Sequence, residues 1–169
     1  RADCSSCHEG PLQTDHNHHA IGVPQVGPGR EENGDDLGRF EQTGNANDLY
    51  EFRTPTLRNV ELTGPWMHDG AYTTLAAAIR HYANPVGQLR GGYDVNQLAP
   101  IMRPLLDTDE TRNEARIDAL SGRLRPPPNL DGQDVADLVA FMIALTDEAS
   151  RDMSDEAPAT VPSGLPVAD

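Results

Sequence analysis

The chain of 169 residues contains no lysine, only two cysteines and few aromatic residues. All 13 basic side chains are therefore arginine, against 27 Asp and Glu, and the formal net charge is −14. A surface of that sign repels the phosphates of nucleic acids and disfavours anionic membranes, so the composition argues against both as partners. No apolar run approaches the roughly 20 residues that a membrane-spanning helix requires, so we do not expect a transmembrane protein.

Apolar side chains are also scarce, at 37% of all residues, with aromatic residues at 5%. The length fits one compact domain plus a tail, but side chains of this composition do not fill an interior by themselves. We therefore predict one domain over residues 1–146 that encloses a non-protein group. Residues 147–169, rich in acidic residues and proline, are predicted to be a tail that is disordered or covers a neighbour.

The two cysteines lie in one motif, Cys4-Ser5-Ser6-Cys7-His8. Two cysteines are too few for a disulfide framework, no second pair is present to complete a zinc site, and no βαβ pattern indicates a thioredoxin-like site. Cys-x-x-Cys-His is typical of covalent haem c attachment. We predict one haem c, bound through the thiols of Cys4 and Cys7, with His8 as the proximal ligand of the iron.

Haem c is attached outside the bacterial cytoplasm, so we expect a periplasmic or otherwise extracytoplasmic protein. The motif begins only three residues into the sequence. We therefore expect that a signal peptide and an N-terminal domain precede this sequence in the gene product.

The sixth ligand of the iron is open at this point. Tyr82 follows Leu75 and Ile79 on the apolar stripe of a predicted helix, so it points toward the core, whereas the adjacent His81 points elsewhere. Met67 lies in a loop, as thioether ligands of small cytochromes often do. A metal-binding cluster of three histidines near residue 18 is possible, but a solvated loop is the preferred interpretation. The full set of candidates is Met67, Tyr82, His16, His18, His19, His68 and His81.

The patterning predicts a mainly α fold. A short helix is expected over residues 4–8, and residues 9–50 are expected to be irregular and to wrap around the haem edge. A helix over about 74–83 begins after Thr73 or Thr74 and ends before Asn84-Pro85. Residues 107–120 are predicted to be an exposed polar helix or loop. A final helix runs from Asp131 to near Thr146, with an apolar side made of Val135, Leu138, Val139, Phe141, Met142 and Leu145.

Two longer runs carry a family resemblance, FRTPTLRNV over residues 52–60 and LTGPWMHDG over residues 62–70. They are followed by Thr74-Leu75 and Ile79, and the shorter runs GRF at 38–40 and VADLVAF at 135–141 fit the same pattern. Together they resemble the C-terminal haem domain of the bacterial dihaem cytochrome c peroxidases and their MauG-like relatives. The resemblance covers most of residues 4–146.

The resemblance implies a class-I-like cytochrome c domain with long irregular loops. In this family an N-terminal haem reacts with hydrogen peroxide, the C-terminal haem relays electrons, and a calcium ion sits between the two domains. A single Cys-x-x-Cys-His motif therefore implies the electron-transfer half of an oxidoreductase. Its implied partners are an N-terminal haem domain or partner chain and a small redox protein as electron donor or oxidisable substrate. The alternative is a non-enzymatic monohaem carrier or a subunit of a larger cytochrome assembly.

The resemblance also implies roles for individual residues. MauG-like members carry a tyrosine at the position of Tyr82, which favours Tyr82 over Met67 as the distal ligand. Arg53 matches a residue near a haem propionate, with Arg58 the weaker candidate. The backbone carbonyls of Thr63 and Pro65 match calcium ligands, and the rest of that shell is expected from the other domain. The stretch 86–130 is longer than in the compact peroxidases.

Overall fold

The computed structural model describes residues 3–29, 35–126, 130–156 and 163. The fold is mainly α, as predicted, and the strands within these ranges form one two-stranded antiparallel sheet, in which His18 lies opposite Arg53. Short 3-10 turns connect many of the helices, the first at Cys4–Ser6 and another at Val60–Leu62. The elements are α1 (Phe40–Thr43), α2 (Leu75–Ala83), α3 (Pro85–Gly87), α4 (Glu110–Asp118), α5 (Gly132–Ala144), β1 (His18–His19) and β2 (Phe52–Arg53).

Helix α2 agrees closely with its prediction. The hydroxyl oxygen of Thr74 accepts the backbone N–H of Ala77, so Thr74 rather than Thr73 is the N-cap. The helix ends at Ala83 with Asn84 as its C-cap, and Pro85 begins α3 at the first position, where its missing N–H costs nothing. Among the residues of the predicted stripe, Leu75, Ala78 and Ile79 are buried.

Helix α5 begins with a capping box, in which Asp131 and Asp134 accept each other's backbone N–H groups. It packs against α2 and against the Val60–Leu62 turn. One member of its predicted apolar side is misplaced, because Phe141 is 53% exposed. At about 3.6 residues per turn, Phe141 lies round the helix from the buried Val135, on the side that faces solvent.

Helix α4 also departs from its prediction as an exposed polar segment, because Arg116 is 1% exposed. The Nη2 of Arg116 lies 2.6 Å from Oδ1 of Asp35 and 2.6 Å from Oδ2 of Asp107. Tyr50 donates its hydroxyl proton to Asp35 over 2.9 Å. A buried guanidinium needs charged partners, and these partners join α4 to the segment around Asp35.

The rest of the N-terminal region is largely irregular, as predicted, apart from β1, α1 and a 3-10 turn. Part of the predicted tail contacts the domain, because Arg151 pairs with Glu61 at 2.7 Å and Ser150 bonds to Asn59. The remainder of the tail, 157–162 and 164–169, lies outside the described residues. Within the described ranges, no helix is long and apolar enough to cross a membrane.

Candidate haem-binding site

A cavity of about 380 Å³ lies between the N-terminal turn, α2 and α5. Separate parts of the chain build its wall: the Cys-x-x-Cys-His turn, residues 52–57, residues 63–68, one side of α2, residues 121–125, Leu130 and one side of α5. Most of the lining is apolar, with Ile21, Val23, Leu57, Leu75, Ile79, Leu124, Leu138 and Met142 contributing side chains.

The turn at the N-terminus presents its motif to this cavity. The backbone N–H groups of Cys7 and His8 both bond to the carbonyl oxygen of Cys4, which coils the segment so that Cys4, Cys7 and His8 all line the wall. The Nδ1 of His8 lies 3.1 Å from the carbonyl oxygen of Gln13. Because a carbonyl only accepts, Nδ1 carries the proton and Nε2 keeps a lone pair for a metal. Burial lowers the pKa of His8, which favours the neutral ring that metal binding requires.

Both leading candidates for the distal ligand line the cavity. Tyr82 is half-buried in the cavity wall, and its hydroxyl makes no hydrogen bond to any described residue. Burial raises the pKa of Tyr82, and the nearby Cys4 and Cys7 add to this effect. Met67 lies in the 63–70 loop with a positive φ of 72°. The choice between Tyr82 and Met67 therefore stays a prediction.

The histidines divide between the cavity and other places. His68 lines the cavity, and its ring stacks on Phe52 at a centroid distance of 3.6 Å. His16 and His18 are not part of the wall. His81 is fully buried elsewhere, and both of its ring nitrogens are bonded, to the Tyr72 hydroxyl and to the Ile21 carbonyl.

His19 lines the cavity and takes part in a small polar cluster. Its Nε2 lies 2.8 Å from Oδ2 of Asp15, and the ligand atoms of Cys7, Asp15 and His19 lie within 4.8 Å of one another. Although burial opposes it, hydrogen bonds from His19 and other neighbours hold the pKa of Asp15 below its ordinary value. The guanidinium of Arg123 already lies 3.3 Å from the same Asp15 oxygen, so this cluster is an ion-pair network that disfavours a further cation.

Three arginines line the cavity, although sequence analysis selected only Arg53. The side chain of Arg53 is exposed and forms no ion pair within the described ranges, so its charge is available to an anionic group. Arg58 does not line the cavity. Arg123 is held by the carbonyl of Ser6 at 3.2 Å, and Arg125 lies two residues further on. Arg123 and Arg125 belong to the long 86–130 segment, and no local pattern in the sequence predicts that this segment lies near residues 4–8.

Thr63 and Pro65 also line the cavity. Calcium takes about six to eight oxygen ligands, and two neutral backbone carbonyls do not fit that requirement. The carboxylate of Glu61, two residues before Thr63, is already bonded to Arg151 and Thr146, so it is not available as a calcium ligand. Calcium therefore stays a prediction that depends on oxygens from another domain.

The residues of the cavity fit a haem c. Two thiols, an imidazole whose Nδ1 bonds to the Gln13 carbonyl, and a phenol line one apolar cavity, and an arginine that forms no ion pair with a described residue lies in its wall. An extended porphyrin matches such a lining, because its ring is apolar and its propionates are anionic.

No protein-family model matches the chain. Comparison with curated proteins finds the cytochrome-c peroxidase IdrP1 of Denitromonas iodatirespirans, 32% identical over 72% of this chain and 37% of the relative. The methylamine utilization protein MauG of Paracoccus denitrificans is 30% identical over 92% of this chain and 42% of the relative. The MauG of Methylorubrum extorquens is 32% identical over 68% of this chain. The chain thus spans less than half the length of these relatives.

A solved structure agrees with these relatives. The crystal structure of a MauG-like protein associated with microbial copper homeostasis superposes with a TM-score of 0.62 at 28% identity, over 88% of this chain and 43% of that one. Two independent comparisons therefore point to the same group of proteins. The chain belongs to the family of the MauG-like proteins and bacterial cytochrome c peroxidases.

Proposed function

We propose that this chain is the class-I-like, electron-transfer haem c domain of a MauG-like or peroxidase-like dihaem oxidoreductase, acting in the periplasm. The observation that carries the proposal is the apolar cavity that brings Cys4, Cys7, His8 and Tyr82 to one place. Each of these residue types has a known use in haem ligation, as a thioether, a proximal imidazole or a phenolate.

Different residues of the cavity would hold different parts of the haem. Cys4 and Cys7 would supply the thioether bonds, and His8, whose Nδ1 is held by the Gln13 carbonyl, would bind the iron through Nε2. Tyr82 would supply an oxygen ligand, with Met67 as the alternative, and Arg53 would pair with a propionate. The haem, when bound, supplies one-electron redox chemistry. The apolar side chains of α2 and α5 keep water from its faces.

The peroxide-reactive haem is assigned to a separate domain or partner chain. Two observations support this division: the chain carries one Cys-x-x-Cys-His motif, and it spans 37% of one peroxidase relative and 43% of the MauG-like structure. This chain then exchanges electrons between that haem and a small redox protein. An oxygen ligand at the iron favours the oxidised states, which suits a group that holds oxidising equivalents.

Covalent haem attachment tests the proposal. The chain is produced with a haem c maturation system, and the denatured product is expected to stain for haem and to retain it in acid acetone. Changing both Cys4 and Cys7 to Ala should abolish the stain, whereas Ser5→Ala, in the same turn, should preserve it. Haem that acid acetone removes from the unchanged chain would refute the assignment.

The division of labour needs a second measurement. The haem-loaded chain is expected to hold one six-coordinate haem and to show no peroxide turnover by itself. The full-length gene product is expected to hold two haems and to react with peroxide. A full-length product with a single haem would instead identify a monohaem carrier.

A further inference from the structure

A buried tyrosine and a buried histidine form a directed hydrogen bond behind the cavity. Tyr72 is 2% exposed and His81 is 0% exposed. The Nε2 of His81 lies 2.8 Å from the carbonyl oxygen of Ile21, and its Nδ1 lies 2.9 Å from the hydroxyl oxygen of Tyr72. Because the Ile21 carbonyl only accepts, Nε2 carries the ring proton. Nδ1 of the neutral ring is therefore the acceptor, and Tyr72 donates its hydroxyl proton to it.

Ring contacts place this pair between the cavity and the protein surface. The ring of His81 meets that of Tyr82, which lines the cavity, edge-on at a centroid distance of 5.7 Å. On the other side, Tyr72 meets Tyr93 edge-on at 5.4 Å. Tyr93 is only partly buried, and its hydroxyl donates to the carbonyl of Ala71. Electron transfer by tunnelling falls steeply with distance, so neighbouring rings in contact make short steps.

We propose that Tyr72 is a redox-active tyrosine that gives one electron to the oxidised haem in the cavity while its hydroxyl proton moves to His81. The proposal rests on the haem assignment made above. The O–H bond of Tyr72 breaks and an N–H bond forms at Nδ1 of His81, which leaves a neutral phenoxyl radical beside an imidazolium. The oxidant is a haem that has lost an electron to a peroxide-derived oxidant, and it is reduced by one electron. A donor at the surface returns an electron through Tyr93, and the proton returns to Tyr72.

The proton acceptor distinguishes Tyr72 from the other tyrosines. A phenol oxidised without an acceptor leaves a cation in an apolar cluster, here Val23, Ala71 and Ala78, and that charge is costly. Tyr82 has no such acceptor in the described part of the chain. Tyr50 has one in Asp35, but that carboxylate already pairs with Arg116, and no ring contact joins Tyr50 to the cavity within the described ranges. Tyr50 is therefore a matched control.

The test uses the haem-loaded chain and a photo-oxidised ruthenium tris-bipyridine complex as one-electron oxidant. Samples frozen after the flash are examined by electron paramagnetic resonance. We expect a tyrosyl radical signal that is lost in Tyr72→Phe and retained in Tyr50→Phe. We also expect a hydrogen-bond proton coupling to the radical that disappears after exchange into heavy water, since that proton then sits between Tyr72 and His81.

Several results would overturn the proposal. A signal that survives in Tyr72→Phe, a tryptophan-type signal from Trp66, or a radical without an exchangeable proton coupling would each do so. The proton coupling is measured in the unchanged chain, so the test stands even if a His81 variant fails to fold. Failure of the haem assignment is separate, because it would appear as missing haem absorption before any flash.

Discussion

Tyr82 stands at the point where the family resemblance and the geometry support the same prediction. Its phenol lines the cavity without a hydrogen-bond partner among the described residues, and burial raises its pKa. Without a metal such a phenol stays protonated, so a bound ferric iron has to supply the charge that stabilises the phenolate.

Replacing Tyr82 by Phe removes this oxygen and nearly preserves the shape of the side chain. We expect Tyr82→Phe to open the distal position of the ferric haem, so that cyanide or imidazole binds where the unchanged chain resists it. Absorption spectroscopy during ligand titration measures the change. Met67→Leu is the matched control, because Met67 lines the same cavity. The absorption spectrum of the Met67→Leu variant should stay close to that of the unchanged chain. A sulfur-to-iron charge-transfer band that disappears in Met67→Leu would identify Met67 as the ligand instead.

Arg53 is expected to tune the haem potential. Its side chain lines the cavity and forms no ion pair within the described part of the chain, so its positive charge favours the reduced, more negative haem. Arg53→Leu should lower the midpoint potential by tens of millivolts, where about 59 mV corresponds to a tenfold change for a one-electron couple. Redox titration measures the shift. Arg58→Leu changes an equal charge outside the cavity wall, and an equal shift in both variants would contradict the assignment.

At the scale of elements, the two sides of helix α2 contact different parts of the molecule. One side brings Leu75, Ile79 and Tyr82 to the cavity, and the other buries His81 against Tyr72. The sequence predicted this helix and its end well, because the N-cap Thr74, the apolar period and Asn84-Pro85 are all local signals.

Other features depended on long-range contacts that no local signal carries. Arg116 looked like a solvated residue of a polar helix, and its burial depends on Asp35, far away in the chain. Arg123 and Arg125 reach the cavity only because the long 86–130 segment folds back to Ser6 and Asp15. The spacing of apolar residues along the sequence predicts which apolar side chains are buried, but it does not predict buried ion pairs.

The Arg116 network is expected to hold α4 in place. Arg116→Met leaves Asp35 without its cation, whereas Asp107 keeps Arg112 at 2.7 Å, so we expect the lower end of the cost of breaking a buried pair, about 3 kcal/mol. Urea unfolding of the haem-loaded chain measures the loss. Arg90→Met is the control, since Arg90 forms an exposed pair with Glu114 and its loss should change little. Equal effects of the two changes would contradict a special role for the buried network.

The same network predicts a dependence on acid. Although burial opposes it, hydrogen bonds from Arg112, the Asp109 backbone and Arg116 lower the pKa of Asp107 from 3.8 to about 2. Because the folded-state pKa lies below the unfolded value, this carboxylate contributes its stability in full above about pH 4 and loses it as the pH falls toward 2. Unfolding measured across that window should show a smaller decline in Asp107→Asn. An unchanged slope would contradict the assignment.

At the scale of the whole molecule, the cavity depends on segments that are far apart in the sequence. The Cys-x-x-Cys-His turn comes from the N-terminus and Met142 from the last helix, with the long 86–130 segment contributing its end. Local patterns predicted most of these elements separately, and the Cys-x-x-Cys-His motif predicted one haem, but no local pattern predicted that residues 121–125 lie in the same wall. The net charge, by contrast, is a property of the whole sequence that needs no structure.

That net charge of −14 should govern which redox partners the chain meets. Positive partners are attracted and negative ones repelled, and salt screens both effects, with a Debye length of about 8 Å at 0.15 M. Hexaammineruthenium, a cation, and hexacyanoferrate, an anion, provide two small probes of opposite charge. We expect the rate of electron exchange between the haem-loaded chain and the cation to fall as ionic strength rises, and the rate with the anion to increase. Stopped-flow absorption at the haem band measures both rates. If both rates were independent of salt, the acidic surface would have no part in partner selection, since steering by net charge must respond to screening.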